Sequence, residues 1–152
     1  MSFMVGDEPM IELKYTVLLP PISKKNSQQI LTNRATGRPF IMPSKQYKQY
    51  EREAGQFLRP RPSQPISCPV NVKCVFYMPT YRAVDKSNLE EAAHDILVTA
   101  GILADDNRDI IATTDGSIVL YDKVNPRTEI TITPVENYPQ WSKKYNKEAN
   151  HE

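Results

Sequence analysis

Apolar, β-branched residues run from Ile11 to Leu19 and predict a strand, which Pro20-Pro21 ends. Residues 22–43 are polar and rich in turn formers, with a short β-like run Gln28-Gln29-Ile30-Leu31. Arg34-Ala35-Thr36-Gly37-Arg38 reads as a hairpin turn leading into Pro39-Phe40-Ile41-Met42. Ser44, placed after Pro43, is an N-cap for a helix extending to about Leu58. Four prolines between Arg59 and Pro69 make that stretch a surface loop. From Val70 to Met78 the pattern alternates. Val70, Val72, Cys74, Phe76 and Met78 fall on one face, with Asn71 and Lys73 on the other, which predicts a strand closed by Pro79.

The best-signalled element follows. Leu89, Ala92, Ala93, Ile96, Leu97 and Ala100 recur at helical spacing. Asp85 or Ser87 can cap this helix, Glu90 and Glu91 favour its positive end, and Gly101 stops it. Ile110 to Tyr121 reads as a strand with a bulge or turn at Asp115-Gly116, Asn125-Pro126 as a turn, and Thr128 to Thr133 as the last strand. Strands and helices mix without a regular βαβ rhythm. The expected fold is therefore α+β, a single small domain with a mixed or mostly antiparallel sheet and two main helices. The expected division is a domain over 1–135 and a polar tail over 136–152, in which Tyr138, Trp141 and Tyr145 lie among lysines.

Composition narrows the class. At 152 residues, 39% of them apolar and 24% charged, the chain suits one domain with a real core. No apolar run approaches the ~18 residues of a membrane helix, and the acidic start Met1 to Glu8 lacks the pattern of a secretory signal. A cytoplasmic location is expected. Cys68 and Cys74, read as one strand, sit roughly 20 Å apart by extended spacing, too far for a disulfide.

The net charge of +1 conceals an asymmetry. Residues 20–61 carry nine Lys or Arg against two acids, a local +7, whereas residues 82–115 carry eight acids against three basic residues, a local −5. Two readings stand: a polyanion-binding surface beside a cation site, or two solvated faces that differ.

The acids centre on one helix. Asp85 precedes it, Asp105 and Asp106 follow it, and Asn88, Glu91 and Asp95 share one of its faces. Carboxylates without matching histidines or thiols form a hard-oxygen set suited to Mg²⁺ or Mn²⁺ and to phosphodiester cleavage. The plainer alternative is an acidic turn and a helix start favoured by acids. Asp85 and Asp106 can meet only if the chain folds back along the helix after Gly101, or if the sheet brings the two together. His94 and His151 are too few for a histidine triad or zinc set, and no phosphate-binding glycine loop occurs, so no nucleotide cofactor is expected.

At this point a family resemblance emerges. Leu19-Pro20-Pro21-Ile22-Ser23-Lys24-Lys25-Asn26-Ser27, Asp85-x-x-Asn88-Leu89, Asp95-Ile96-Leu97, Gly101-x-Leu103-x-Asp105-Asp106 and Asp122-Lys123-x-Asn125-Pro126-Arg127-Thr128-Glu129 resemble the RusA-like Holliday junction resolvases, in a version common in phages and prophages of Gram-positive bacteria. The likeness runs to about Pro134.

It implies a homodimeric, Mg²⁺-dependent endonuclease that cuts four-way or related branched DNA in recombination and repair, with Mn²⁺ an alternative metal. Asp85 and Asp106 take the family's catalytic positions, with Asp105 beside the second. The family's second aspartate is Ser87 here, and its following lysine is Glu91. Glu91 and Asp95 are therefore expected to complete the metal set Asp85, Glu91, Asp95, Asp105 and Asp106. Lys24, Lys25, Asn26, Arg34, Arg38, Arg82 and Lys86 are the expected DNA contacts. The alternatives are a junction- or single-strand-binding protein whose metal site has degenerated through Ser87, and an unrelated structural phage protein.

Overall fold

The computed structural model describes residues 3–6, 8–24 and 28–136. Its elements are β1 (Phe3–Val5), β2 (Glu8–Met10), β3 (Leu13–Val17), β4 (Gln28–Thr32), β5 (Pro39–Pro43), α1 (Lys45–Ala54) with a 3₁₀ turn Gly55–Phe57, β6 (Val70–Met78), α2 (Lys86–Thr99), β7 (Ile111–Thr113), β8 (Ile118–Tyr121) and β9 (Arg127–Pro134). The main sheet is ordered β3-β9-β6-β7, with β8 also on β6; β1-β2 and β4-β5 are separate hairpins. The architecture is the expected α+β one, and the sheet is mixed.

Alternation builds the core. Val17, Thr128 and Phe76 align across β3, β9 and β6, as do Tyr15, Ile130 and Cys74, and then Leu13, Ile132 and Val72. All nine are buried. Side chains two apart share a sheet face, so these layers form one apolar surface. Leu89, Ala92, Ala93, Ile96 and Leu97 of α2, and Tyr47, Tyr50 and Ala54 of α1, are the buried positions of the two helices. The opposite sheet face carries the exposed Lys14, Thr16 and Lys73.

Strands β3, β9 and β6 pair antiparallel, whereas β7 and β8 run parallel to β6. A parallel pair needs a long crossover, and α2 supplies it, so one βαβ unit lies within the otherwise antiparallel sheet. The edge opposite β3 is discontinuous, because β7 pairs the start of β6 and β8 its end. Asn71 holds the intervening turn: its Oδ1 accepts from Thr113 Oγ1 at 2.6 Å and Asp115 N at 2.7 Å, and its Nδ2 donates to the Asp115 carbonyl at 3.2 Å. The expected interruption at Asp115-Gly116 is this turn.

The β1-β2 hairpin has no counterpart among the expected elements. Cys68 precedes β6 instead of lying in it, and neither cysteine is in a disulfide. Buried Cys74 has its thiol pushed up to about 12, chiefly by burial, so it stays protonated and acts as a core residue. Lys25, Asn26 and nearly all of the expected tail, including Tyr138, Trp141 and Tyr145, lie outside the described residues. No described helix is long and apolar enough to cross a membrane.

Candidate active site

Asp85 caps α2. Its Oδ1 accepts from Ser87 N at 3.0 Å and from Ser87 Oγ at 2.7 Å. The residue standing where the family has a second aspartate thus bonds directly to the first. A groove of about 510 Å³ lies beside this helix start, between Pro21-Ile22-Ser23 and the connection carrying Thr80, Arg82, Ala83 and Val84, with Met78 and Leu89 also lining it. Arg82 lines it and is exposed, and Lys86, exposed in the first turn of α2, reaches Glu90 Oε1 with its Nζ at 3.5 Å.

The chain does fold back after the helix. Gly101 adopts φ +77°, a conformation that side chains with a Cβ rarely take. Ile102 N and Leu103 N then bond the Leu97 carbonyl, and Ala104 N bonds the Ile66 carbonyl. Asp105 spends its carboxylate on the next turn: Oδ1 accepts from Asp106 N at 2.7 Å and Oδ2 from Asn107 Nδ2 at 3.2 Å. Asp106 is exposed and accepts no side-chain hydrogen bond among the described residues, and Glu91 is exposed in the same unbonded state.

Half-buried His94 links them. Burial holds its imidazole below the ordinary value, against the opposing fields of Glu90, Asp106 and Glu91 in that order. Burial thus favours the uncharged ring, and among the described residues its Nε2 is buried without a hydrogen bond, as is Glu90 Oε1. Glu90 is a participant that residue types alone did not single out. Only its i, i+4 spacing from Lys86 signalled a partner.

Asp95 belongs elsewhere. Its Oδ2 accepts from Tyr47 Oη at 2.7 Å, and Lys24 Nζ lies 3.4 Å away. Lys24 also sits 5.6 Å from the centre of the Tyr47 ring. Glu51 is held above its ordinary range, first by burial and then by the charge of Asp95 and a hydrogen bond to it, while Lys24 and Lys48 pull it down. The Tyr47 hydroxyl is raised by burial and by the Asp95 bond. Asp95 and Lys24 thus tie α2 to α1 and to the segment before β4.

The expected site residues therefore divide into groups. The charges of Glu91 and Asp106 both act on His94, and Asp85 lies six residues before Glu91, about 9 Å along the helix axis. Asp105 serves a turn, and Asp95 a helix seam. Arg34 and Arg38 are exposed at the tip of the β4-β5 hairpin.

Among the described residues, no three His, Cys, Asp or Glu side chains are placed to hold a metal ion as a ready-made cage. The donors instead suit a hard cation of the Mg²⁺ kind, which takes one or two carboxylates and fills its shell with water and substrate phosphate.

The Asp122-to-Glu129 stretch proves to be a stapled turn. Asp122 Oδ1 accepts from Val124 N and Asn125 N, and Oδ2 from Arg127 Nη1 at 3.0 Å. Arg127 also donates to Glu129 Oε2 at 3.0 Å and stacks 3.7 Å from the centre of the Tyr77 ring.

No curated protein matches the chain. A family model for the endodeoxyribonuclease RusA matches residues 19–133, most of the sequence and every element from the basic segment to the last strand. RusA-family nucleases act on branched DNA and generally depend on a divalent metal. The chain belongs to the RusA family of endodeoxyribonucleases, and so to the phosphodiester hydrolases.

Proposed function

We propose that this protein resolves Holliday junctions and related branched DNA by Mg²⁺-dependent phosphodiester hydrolysis, acting as a homodimer in recombination and repair. The observation that carries the reading is a pair of exposed carboxylates, Glu91 and Asp106, that have no hydrogen-bond partner among the described residues and whose charges both act on His94 of the helix capped by Asp85. Exposure without a structural partner costs those acids nothing in folding and leaves their oxygens open to a cation.

Asp85, Glu91 and Asp106 are the carboxylates that would offer oxygens to such a cation, one or two at a time, with water and substrate phosphate filling the rest of its shell. Such a cation would supply water activation and would offset negative charge on the leaving oxygen. The chain's own groups do the rest. Arg82 and Lys86 bind phosphates flanking the cut, and the groove beside the α2 start receives the strand. Arg34 and Arg38 on the hairpin extend the phosphate contact, which supplies affinity without sequence selection. A dimer with two-fold symmetry presents one site to each of two strands, as a nearly two-fold junction requires.

A labelled four-way junction tests this directly. Cutting in Mg²⁺ and none in EDTA is the expected result, with binding retained in both. Binding without cutting under every divalent metal supports the second reading, a junction- or single-strand-binding protein with a non-cleaving site. The Ser87 Oγ bond to Asp85 is the observation that favours that reading.

A further inference from the structure

Tyr81 is 83% exposed although its ring stacks on another aromatic. Its partner is Tyr121, with ring centroids 3.8 Å apart and planes 24° from parallel. The pair is anchored at the end of the parallel ladder, where Tyr121 pairs with Met78 and Asp122 N donates to the Met78 carbonyl at 2.9 Å. Tyr121 therefore braces the inner face of the Tyr81 ring, and the outer face meets solvent. Neither ring serves the core, and the roles assigned above to the acids and basic residues leave both unused.

We propose that Tyr81, backed by Tyr121, is a stacking platform for one unpaired nucleobase of branched DNA. The proposal rests on the endonuclease reading and deepens it. A flat π surface already held in a stack accepts a third layer with little loss of side-chain freedom, and every base has a π face to offer. A base inside a continuous duplex is stacked on its neighbours. One at the branch point of an open junction lacks a stacking neighbour on one side and unpairs more readily, so the platform favours nucleotides there.

Position gives the site its meaning. Arg82, next in the chain, lines the groove together with Thr80 and supplies a phosphate contact beside the stacked base. Tyr81 lies four residues before Asp85, at most about 14 Å even if fully extended. At 3.4 Å per nucleotide of a duplex strand, that places the stacked base within about four nucleotides of the phosphate presented to Asp85. Tyr81 is a positioning residue here, coupling the unpaired base to the place of cutting.

The experiment uses a four-way junction with 2-aminopurine at the branch point, bound in metal-free buffer with EDTA so that the junction is open and no strand is cut. Binding by the wild type, Y81F and Y81W should quench the fluorescence. Y81A should abolish the quenching and bind the junction roughly tenfold more weakly, with unchanged affinity for a fully paired linear duplex. Thermal melting of Y81A checks the fold.

Undiminished quenching by Y81A overturns the proposal, as does an equal loss of affinity for junction and linear duplex. A Y81F defect as large as that of Y81A also overturns it, because the hydroxyl and not the ring face would then matter. So does a shift of Y81A from dimer to monomer in sedimentation, because a second copy would then cover the ring. Because quenching is read without cutting, failure of the wild type to cut in Mg²⁺ sinks the endonuclease reading while the stacking result still decides the platform.

Discussion

Glu91 and Asp95 are one helical turn apart on α2, yet their surroundings differ in kind. Glu91 faces solvent, and neither its carboxylate nor that of Asp106, whose charge also acts on His94, has a hydrogen-bond partner among the described residues. Asp95 is enclosed by Tyr47, Lys24 and Glu51. The same residue chemistry is held open at one site and consumed in packing at the other. A carboxylate's availability is thus set by what faces it across the tertiary fold, and not by its place on the helix face.

Substitutions on the open side should strike cutting hardest. D106N is expected to reduce junction cleavage by at least about 100-fold while melting and junction binding stay near wild type. D85N should do the same, and asparagine caps a helix as well as aspartate does, so the cap survives and only the charge is lost. Cleavage kinetics beside a gel-shift titration check both, and wild-type cutting by either variant removes that residue from the metal set.

The enclosed side should answer in stability. Y47F deletes a hydrogen bond to a charged, half-buried carboxylate and is expected to lower unfolding free energy by about 1.5–3 kcal/mol, read by urea denaturation, with cutting retained in the folded fraction. A cleavage loss matching that of D106N, without loss of stability, would return Asp95 to the metal set.

The element pattern was largely legible because β6, β9 and α2 alternate or recur with a single clear period. The β1-β2 hairpin was not, since three residues per strand are too few to show a period. Helical spacing correctly placed Asn88, Glu91 and Asp95 on one side of α2. That side, however, spans both solvent and the α1 seam, and Tyr47, which claims Asp95, lies 48 positions away with nothing local to announce it. Asp105 was legible only as an acid. Its commitment to the turn depends on backbone geometry that residue types do not encode.

A finer comparison sets Glu91 against Ser87. E91Q should slow cutting roughly fivefold, equivalent to ~1 kcal/mol in the barrier, and S87A less, because the serine hydroxyl offers no anionic ligand. Equal rates for the two variants would leave Glu91 without a compensating role.

The smallest effect belongs to the stapled turn. Backbone N–H donation from Asn125 and the Arg127 bond hold Asp122 below the usual carboxylate range. The folded chain therefore gives up this proton more readily than the unfolded one. The stabilisation is complete above the ordinary aspartate value and disappears as pH falls through the depressed one. D122N should flatten that acid limb in melting curves and leave neutral-pH cutting unchanged.

Gly101 makes the length of α2 a ruler. The chain turns back where this residue takes its left-handed conformation, so each residue inserted ahead of it would advance the return segment by about 1.5 Å and swing it by about 100° around the helix axis. A single insertion should carry Asp106 away from the side of α2 that bears Glu91. Two whole turns, or seven residues, would nearly restore its bearing while displacing it lengthwise by roughly 10 Å. The helix thereby acts as a phase-sensitive spacer, in which a change in the count of residues displaces the return segment as no single exposed substitution does.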